Sequence, residues 1–167
     1  MKSGKKCYKY NIPLTDPVQY NEAELLIEPY TMGVLLANGY LSGTGTEFRT
    51  PDPDVVKRVS NEGYTVISRK VPEDACPNYG IKNIRSLIRE LGVDVKSSDK
   101  FIPKEYLHSS IDQRIALLQG LFDSDGGNTS HNGLSANYYT TSPQLASDVR
   151  ELVMSLGGTA QINTVDR

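Results

Sequence analysis

Two short apolar runs, each closed by a polar residue and a glycine, constrain this chain more than any other feature. The first is Thr31-Met32-Gly33-Val34-Leu35-Leu36-Ala37-Asn38-Gly39, and the second is Leu118-Gln119-Gly120-Leu121-Phe122-Asp123-Ser124-Asp125-Gly126. Gly33 and Gly120 hold the same place in the two runs, 87 residues apart, and Ala37 and Ser124 repeat that offset. Small residues at i and i+4 lie on one face of a helix, and a face without bulk lets two helix backbones approach closely. Two helices are therefore expected to pack together, with Gly33, Ala37, Gly120 and Ser124 as their interface. Asn38 and Asp125 then meet at the same end. Gly39 and Gly126 are expected to close the helices in the left-handed region.

The repetition continues downstream. Asp52-Pro53 and Ser142-Pro143 each set a capping residue before a proline, which is a helix start signal. The helices they open carry Val55, Val56 and Val59, and Leu145, Val149, Leu152 and Leu156. Glu47-Phe48-Arg49-Thr50 and Asn137-Tyr138-Tyr139-Thr140-Thr141 read as strands before them. Gly63 and Gly157 end the helices and lead into expected strands at 64–68 and 159–163. The order helix, strand, strand, helix, strand thus occurs twice. The first half adds a strand near 78–82 and a helix over about 83–91, capped by Gly92. The second half is expected to be incomplete by a strand and a helix, because ten residues follow Gly157.

Composition narrows the function classes. The 167 residues suit one compact domain or two small halves. With 18 basic and 20 acidic side chains the net charge is −2, which excludes nucleic-acid binding by bulk charge but not by a local surface. Positive charge gathers in the first half, at Arg49, Lys57, Arg58, Arg69, Lys70 and Lys82. No apolar run approaches the roughly 20 residues of a membrane helix. The basic N-terminus has no apolar stretch behind it, so it is not expected to be a signal peptide. Two cysteines make neither a disulfide scaffold nor a zinc site. A cytoplasmic location and no membrane partner are expected. Oxygen ligands gathered at the junction of the two helices would suit a hard cation such as Mg2+, which keeps waters for phosphate substrates and supports phosphodiester hydrolysis.

The paired pattern resembles the LAGLIDADG family of homing endonucleases, in the two-motif form found inside inteins. Gly120, Leu121, Asp123, Asp125 and Gly126 carry the second motif, and residues 101–107 and 113–118 resemble its lead-in. Residues 30–36 resemble the start of the first, and the likeness covers nearly all of 25–165. The resemblance implies an α+β fold, a saddle of two pseudo-symmetric αββαββα repeats acting as a monomer. Residues 1–24 then form an N-terminal extension or a linker from a splicing domain. Residues 25–112 form the first repeat, and 113–167 the second, incomplete one. It implies Mg2+ or another divalent cation at Asp125 and Asn38, with the carbonyls of Ala37 and Ser124. It also implies an assisting lysine, for which Lys82 is the first candidate and Lys70 the second. The second half has no lysine after Lys104.

The substrate so implied is double-stranded DNA, cut by the domain of a larger intein. The chain departs from the family at Asn38, where the family has an acid. An amide supplies no charge and cannot act as a base, so weak, nicking or absent cleavage is expected. The alternative is a catalytically inactive DNA-binding module on the same scaffold. Candidate DNA contacts in the first half are Tyr40, Ser42, Thr44, Thr46, Arg49, Arg69 and Lys70. In the second they are Asn128, Ser130, His131, Asn132, Asn137, Tyr139, Gln161 and Asn163. Amide, hydroxyl and guanidinium groups read base edges, and Lys and Arg contact phosphates. Thr159, Gln161 and Asn163 share one strand face opposite Ala160 and Ile162. His108 reads as a surface residue.

Two other readings fail. Phe122-Asp123-Ser124-Asp125-Gly126 resembles the nucleophile motif of haloacid dehalogenase-type phosphatases, but 41 residues after Gly126 leave no room for that fold. As a calcium loop from Asp123, the glycine position holds Asn128 and the twelfth holds Leu134. Splicing is not expected of this chain, since His131-Asn132 is internal and followed by Gly133.

Overall fold

A computed structural model describes residues 13–128 and 135–165. Helix α1, Pro29–Asn38, opens on a proline, whose missing N–H is no loss in a first turn. It is buried from Pro29 through Leu36, as befits a helix apolar on all sides. Helix α5, Ile111–Asp125, opens with a capping box. Ser110 Oγ accepts from Gln113 N–H, and the Gln113 side chain accepts from Ser110 N–H. The two helices run parallel and touch at their glycines. A Cβ on Gly33 would stand 2.8 Å from Leu121 N, and one on Gly120 would stand 3.0 Å from Val34 N. The expected interface is thus a backbone-to-backbone contact, flanked by half-buried Ala37 and Ser124.

Each motif helix passes straight into a hairpin. In the first half β1 (Gly39–Tyr40), β2 (Glu47–Arg49), β3 (Val66–Arg69) and β4 (Asn78–Ile81) form an antiparallel sheet of order β1-β2-β4-β3. Helix α2 (Pro53–Asn61) lies between β2 and β3, and α3 (Arg85–Glu90) follows β4. After α4 (Lys104–Leu107) and α5, strands β5 (Gly126–Asn128) and β6 (Ala136–Tyr138) pair, and α6 (Pro143–Ser155) closes the half. Asp52 and Ser142 cap α2 and α6 as expected, their side chains accepting from Asp54 N–H and Leu145 N–H. The helix–strand–strand–helix order therefore occurs twice around a shared core that includes Leu35, Phe48, Leu117, Leu121 and Leu152. The fold is α+β.

Two local expectations need correction. Gly39 and Gly126 are not left-handed: their φ angles are −79° and −83°. The chain leaves each helix directly in an extended conformation, and a Cβ would collide with the carbonyl oxygen four residues back, of Leu35 or Phe122. Gly63 and Gly157, at φ +92° and +83°, do take the left-handed cap. Among the described residues no strand forms over 159–163. Its alternation has no neighbouring strand to pair with, and Ile162, meant for a buried face, is 45% exposed.

The N-terminal segment is tied to the second half by a buried arginine. Arg114 donates to the carbonyls of Ser109 and Ser155, each at 2.9 Å, and to that of Val18. Val18 N–H in turn donates to Ser155 O at 2.8 Å. A fully buried guanidinium is tolerated here because carbonyls receive its N–H groups.

Candidate metal and nucleic-acid site

The parallel packing of α1 and α5 brings Asn38 and Asp125 together at the C-terminal ends of the helices. Asn38 Nδ2 donates to Ser124 O at 3.0 Å, and the Asn38 side chain also hydrogen-bonds the Asp125 carboxylate. A third side chain, Lys100, completes the junction. It lies just past a 3₁₀ turn, Ser97–Asp99, and is 3% exposed. Its Nζ donates to Leu35 O at 3.2 Å, Ala37 O at 3.3 Å and Gly39 O at 2.8 Å. Carbonyls at a helix end lack intrahelical partners and face the negative end of the helix dipole, so a cation is favoured there. Burial pulls the Lys100 ammonium down to about 8, with the Asp125 charge opposing.

Burial also raises the Asp125 carboxyl above its ordinary value, opposed by Lys100 and by the Asn38 hydrogen bond. Beside it Ser124 Oγ and Tyr138 OH are buried with no hydrogen-bond partner. Burial, and then the Asp125 charge, push the Tyr138 phenol up. One carboxylate and two unengaged hydroxyls suit a single hydrated hard cation, but the carbonyls of Ala37 and Ser124 are already engaged by Lys100 and Asn38, which a cation would have to displace. These groups do not fit a cation held by acidic groups alone: among the described residues no cluster of three His, Cys, Asp or Glu side chains forms.

Burying an ionised carboxylate without full compensation lowers stability, and sites of this kind commonly trade stability for function. Asp125→Asn is expected to raise the melting temperature at pH 7. Because the folded-state pKa is raised, the native protein binds the proton first as pH falls. The wild type regains stability through that window, and the advantage of the variant should vanish below the ordinary carboxylate pKa. Melting curves across acidic pH check this; a lower melting temperature for the variant at pH 7 would contradict it.

The other candidates are dispersed. The register places Lys82 past the end of β4 that lies away from Asn38, since Arg49 and Asn78 pair at the near end and Ile81 lies beyond Glu47. The lysine that reaches the junction is Lys100. It stands in the polar run Lys96-Ser97-Ser98-Asp99-Lys100 and reads as solvated surface; its place directly before Phe101-Ile102-Pro103 is the signal that could have found it. Tyr40, Ser42, Thr44, Arg49, Arg69 and Lys70 are exposed. Thr46 is not: it is 3% exposed and lies just before β2 on the inward side that Phe48 takes, so it is not an outward contact. Glu47 and Asn78, absent from the candidates, join the outward sheet face with Arg49 and Arg69. A groove of about 460 Å³ beside the junction is lined by Ala37, Asn38, Tyr40, Glu47, Arg49, Asn78 and Lys100, among others.

In the second half Asn137 and Tyr139 are exposed, and Asn137 Nδ2 donates to Tyr139 OH at 3.1 Å. Gln161 and Asn163 are exposed on irregular chain. Asn128 ends β5. Ser130, His131 and Asn132 lie outside the described residues. No helix among the described residues is long and apolar enough to cross a membrane.

The sequence has relatives among known proteins. Residues 112–167 match the LAGLIDADG-like domain. The chain is 32% identical over 143 residues to a replicative DNA helicase DnaB of Mycobacterium intracellulare, an alignment covering 86% of this chain and 21% of that protein. It is 26% identical over 160 residues to the DNA gyrase A protein of Mycobacterium kansasii, covering 86% and 29%. Against the DNA gyrase A protein of Mycobacterium leprae (strain TN) it is 26% identical over 176 residues, covering 94% and 13%. The chain thus spans under a third of the length of each of these relatives. With its paired motif helices and the match over its second half, the chain carries a LAGLIDADG-like domain.

Proposed function

We propose that the chain is an intein-type homing-endonuclease domain that binds double-stranded DNA at a specific site and cleaves it feebly. The observation that carries this reading is the junction itself. The motif helices end side by side, one in Asp125 and the other in Asn38, beneath a polar sheet face. An insertion within a larger host accords with the small share of each relative that the chain spans. The exposed face of the first sheet, with Tyr40, Arg49 and Arg69, supplies the DNA surface. Lys70 and the outward groups Asn137 and Tyr139 extend it.

Asp125, with the carbonyls of Ala37 and Ser124, would hold a divalent cation there. When bound, that cation would lower the pKa of a water and offset charge on a phosphate. Lys100 keeps the end of α1 ordered and sets a positive charge within reach of Asp125. Tyr138 OH and Ser124 Oγ offer unengaged donors beside the same carboxylate. Asn38 works against this: its amide donates to Ser124 O and to Asp125, so its N–H groups face the oxygens that would hold the cation. That contact favours, as a second reading, a binding module without cleavage.

A randomised duplex pool, selected with the full chain in EDTA and in Mg2+, tests the proposal. Binding should enrich one site family in both, because the sheet contacts need no cation. A plasmid carrying that site should be nicked slowly in Mg2+ and stay intact in EDTA. Enrichment with no nicking selects the second reading. Failure to enrich any duplex overturns both.

A further inference from the structure

The outward face of the first sheet holds an arrangement more specific than general DNA affinity requires. The register sets Tyr40, Glu47, Gly80 and Ile67 in one row across β1, β2, β4 and β3, and Arg49, Asn78 and Arg69 in the next. Residues two apart along a strand share a face, so both rows look outward, opposite buried Phe48. One Glu47 carboxylate oxygen forms an ion pair with Arg69 Nε at 3.1 Å. The other accepts from Asn78 Nδ2 at 2.8 Å. To reach Glu47, Arg69 crosses β4 and lies over Gly80, where a Cβ would stand 2.9 Å from both Nε and Nη2. The backbone at Gly80 is not left-handed. Glycine leaves the guanidinium a seat there, and a side chain at this position would displace it.

We infer that Arg69, seated over Gly80 and paired with a Glu47 carboxylate whose other oxygen Asn78 holds, reads a guanine in the major groove and sets specificity for the first half of the DNA site. This rests on the DNA-binding reading above. Nε faces the Glu47 carboxylate, and the two Nη groups remain as a parallel pair of donors. That pair matches the O6 and N7 acceptors of guanine. A carboxylate facing DNA is otherwise unfavourable, since it meets the phosphate charge. Both of its oxygens are already engaged, so Glu47 orients Arg69 and does not itself read a cytosine amine.

The test is selection of a randomised duplex pool by the full chain and its variants, each first shown by its melting curve to be folded. The wild type should enrich a guanine at one position of the site. Arg69→Lys keeps the charge but loses the fork, and preference at that position should fall at least tenfold, in line with about 1–3 kcal/mol for a bidentate base contact. Glu47→Gln should tighten binding to all sequences by removing a negative charge, yet weaken the preference at that same position. Gly80→Val, which displaces the guanidinium, should weaken it too. An unchanged guanine preference in Arg69→Lys overturns the inference, as does a loss of affinity shared equally by all sequences. If the wild type enriches no duplex, the DNA-binding reading fails and this inference fails with it.

Discussion

Gly120→Ala is expected to lower the melting temperature by about 10 °C. The new methyl group would press on the Tyr30 carbonyl oxygen and stand 3.0 Å from both Tyr30 C and Val34 N. All three are main-chain atoms of α1, so no side chain can turn aside to make room. α1 cannot readily move as a body either, because it is buried from Pro29 to Leu36 and packs against the rest of the core. Overpacking against rigid backbone costs about 1–3 kcal/mol and sometimes more, and 1 kcal/mol shifts the melting temperature of a chain this size by about 2–4 °C. Gly33→Ala, the pseudo-symmetric change, should behave alike. Gly45→Ala is the control: a Cβ there meets nothing nearer than Glu47 Oε1 at 4.0 Å, and its effect should stay within about 0.5 kcal/mol. Equal melting temperatures for Gly120→Ala and Gly45→Ala would mean that the motif helices do not meet through their glycines.

That contact is legible in the sequence because it is encoded locally and twice. Two glycines at the same offset in two apolar runs name the face, and a helix can bury such a face only against a surface equally free of bulk. The same reasoning locates Asn38 beside Asp125. It fails where the partner comes from elsewhere in the chain. Lys100 stands among serines and an aspartate, with no periodicity to mark it, yet its ammonium closes the end of α1. Thr46 lies on an irregular stretch before β2, where counting by twos from Tyr40 loses register, and Phe48 decides which side is inward. Thr159, Gln161 and Asn163 alternate like a strand, but a strand forms only where another strand offers its N–H and C=O groups. Glu47 escapes a sequence reading because a carboxylate looks unsuited to a DNA face; only the register shows it paired with Arg69 and Asn78.

Asn38→Asp should convert a junction that needs no cation into one that does. In the wild type the Asn38 amide bridges to Ser124 O and Asp125, so the ends of the helices are held without metal. An aspartate there cannot donate, and it sets a second carboxylate beside a carboxyl whose pKa burial already raises. Two like charges so placed cannot both ionise freely, and Lys100 cannot fully offset both. The variant in EDTA should therefore melt below the wild type. Saturating Ca2+ should reverse the order, because a ligand present at about 100 times its dissociation constant stabilises by about 2.7 kcal/mol. The wild type, with one carboxylate, should gain much less. Nicking of a plasmid carrying the selected site should rise in Mg2+ at least tenfold, with linear product appearing. If the variant melts at the same temperature in Ca2+ and in EDTA, Asp125 and residue 38 do not form a cation site. If it gains stability from Ca2+ but cleaves no faster, the missing charge at position 38 is not what limits cleavage, and the geometry of Lys100 and Tyr138 becomes the next place to look.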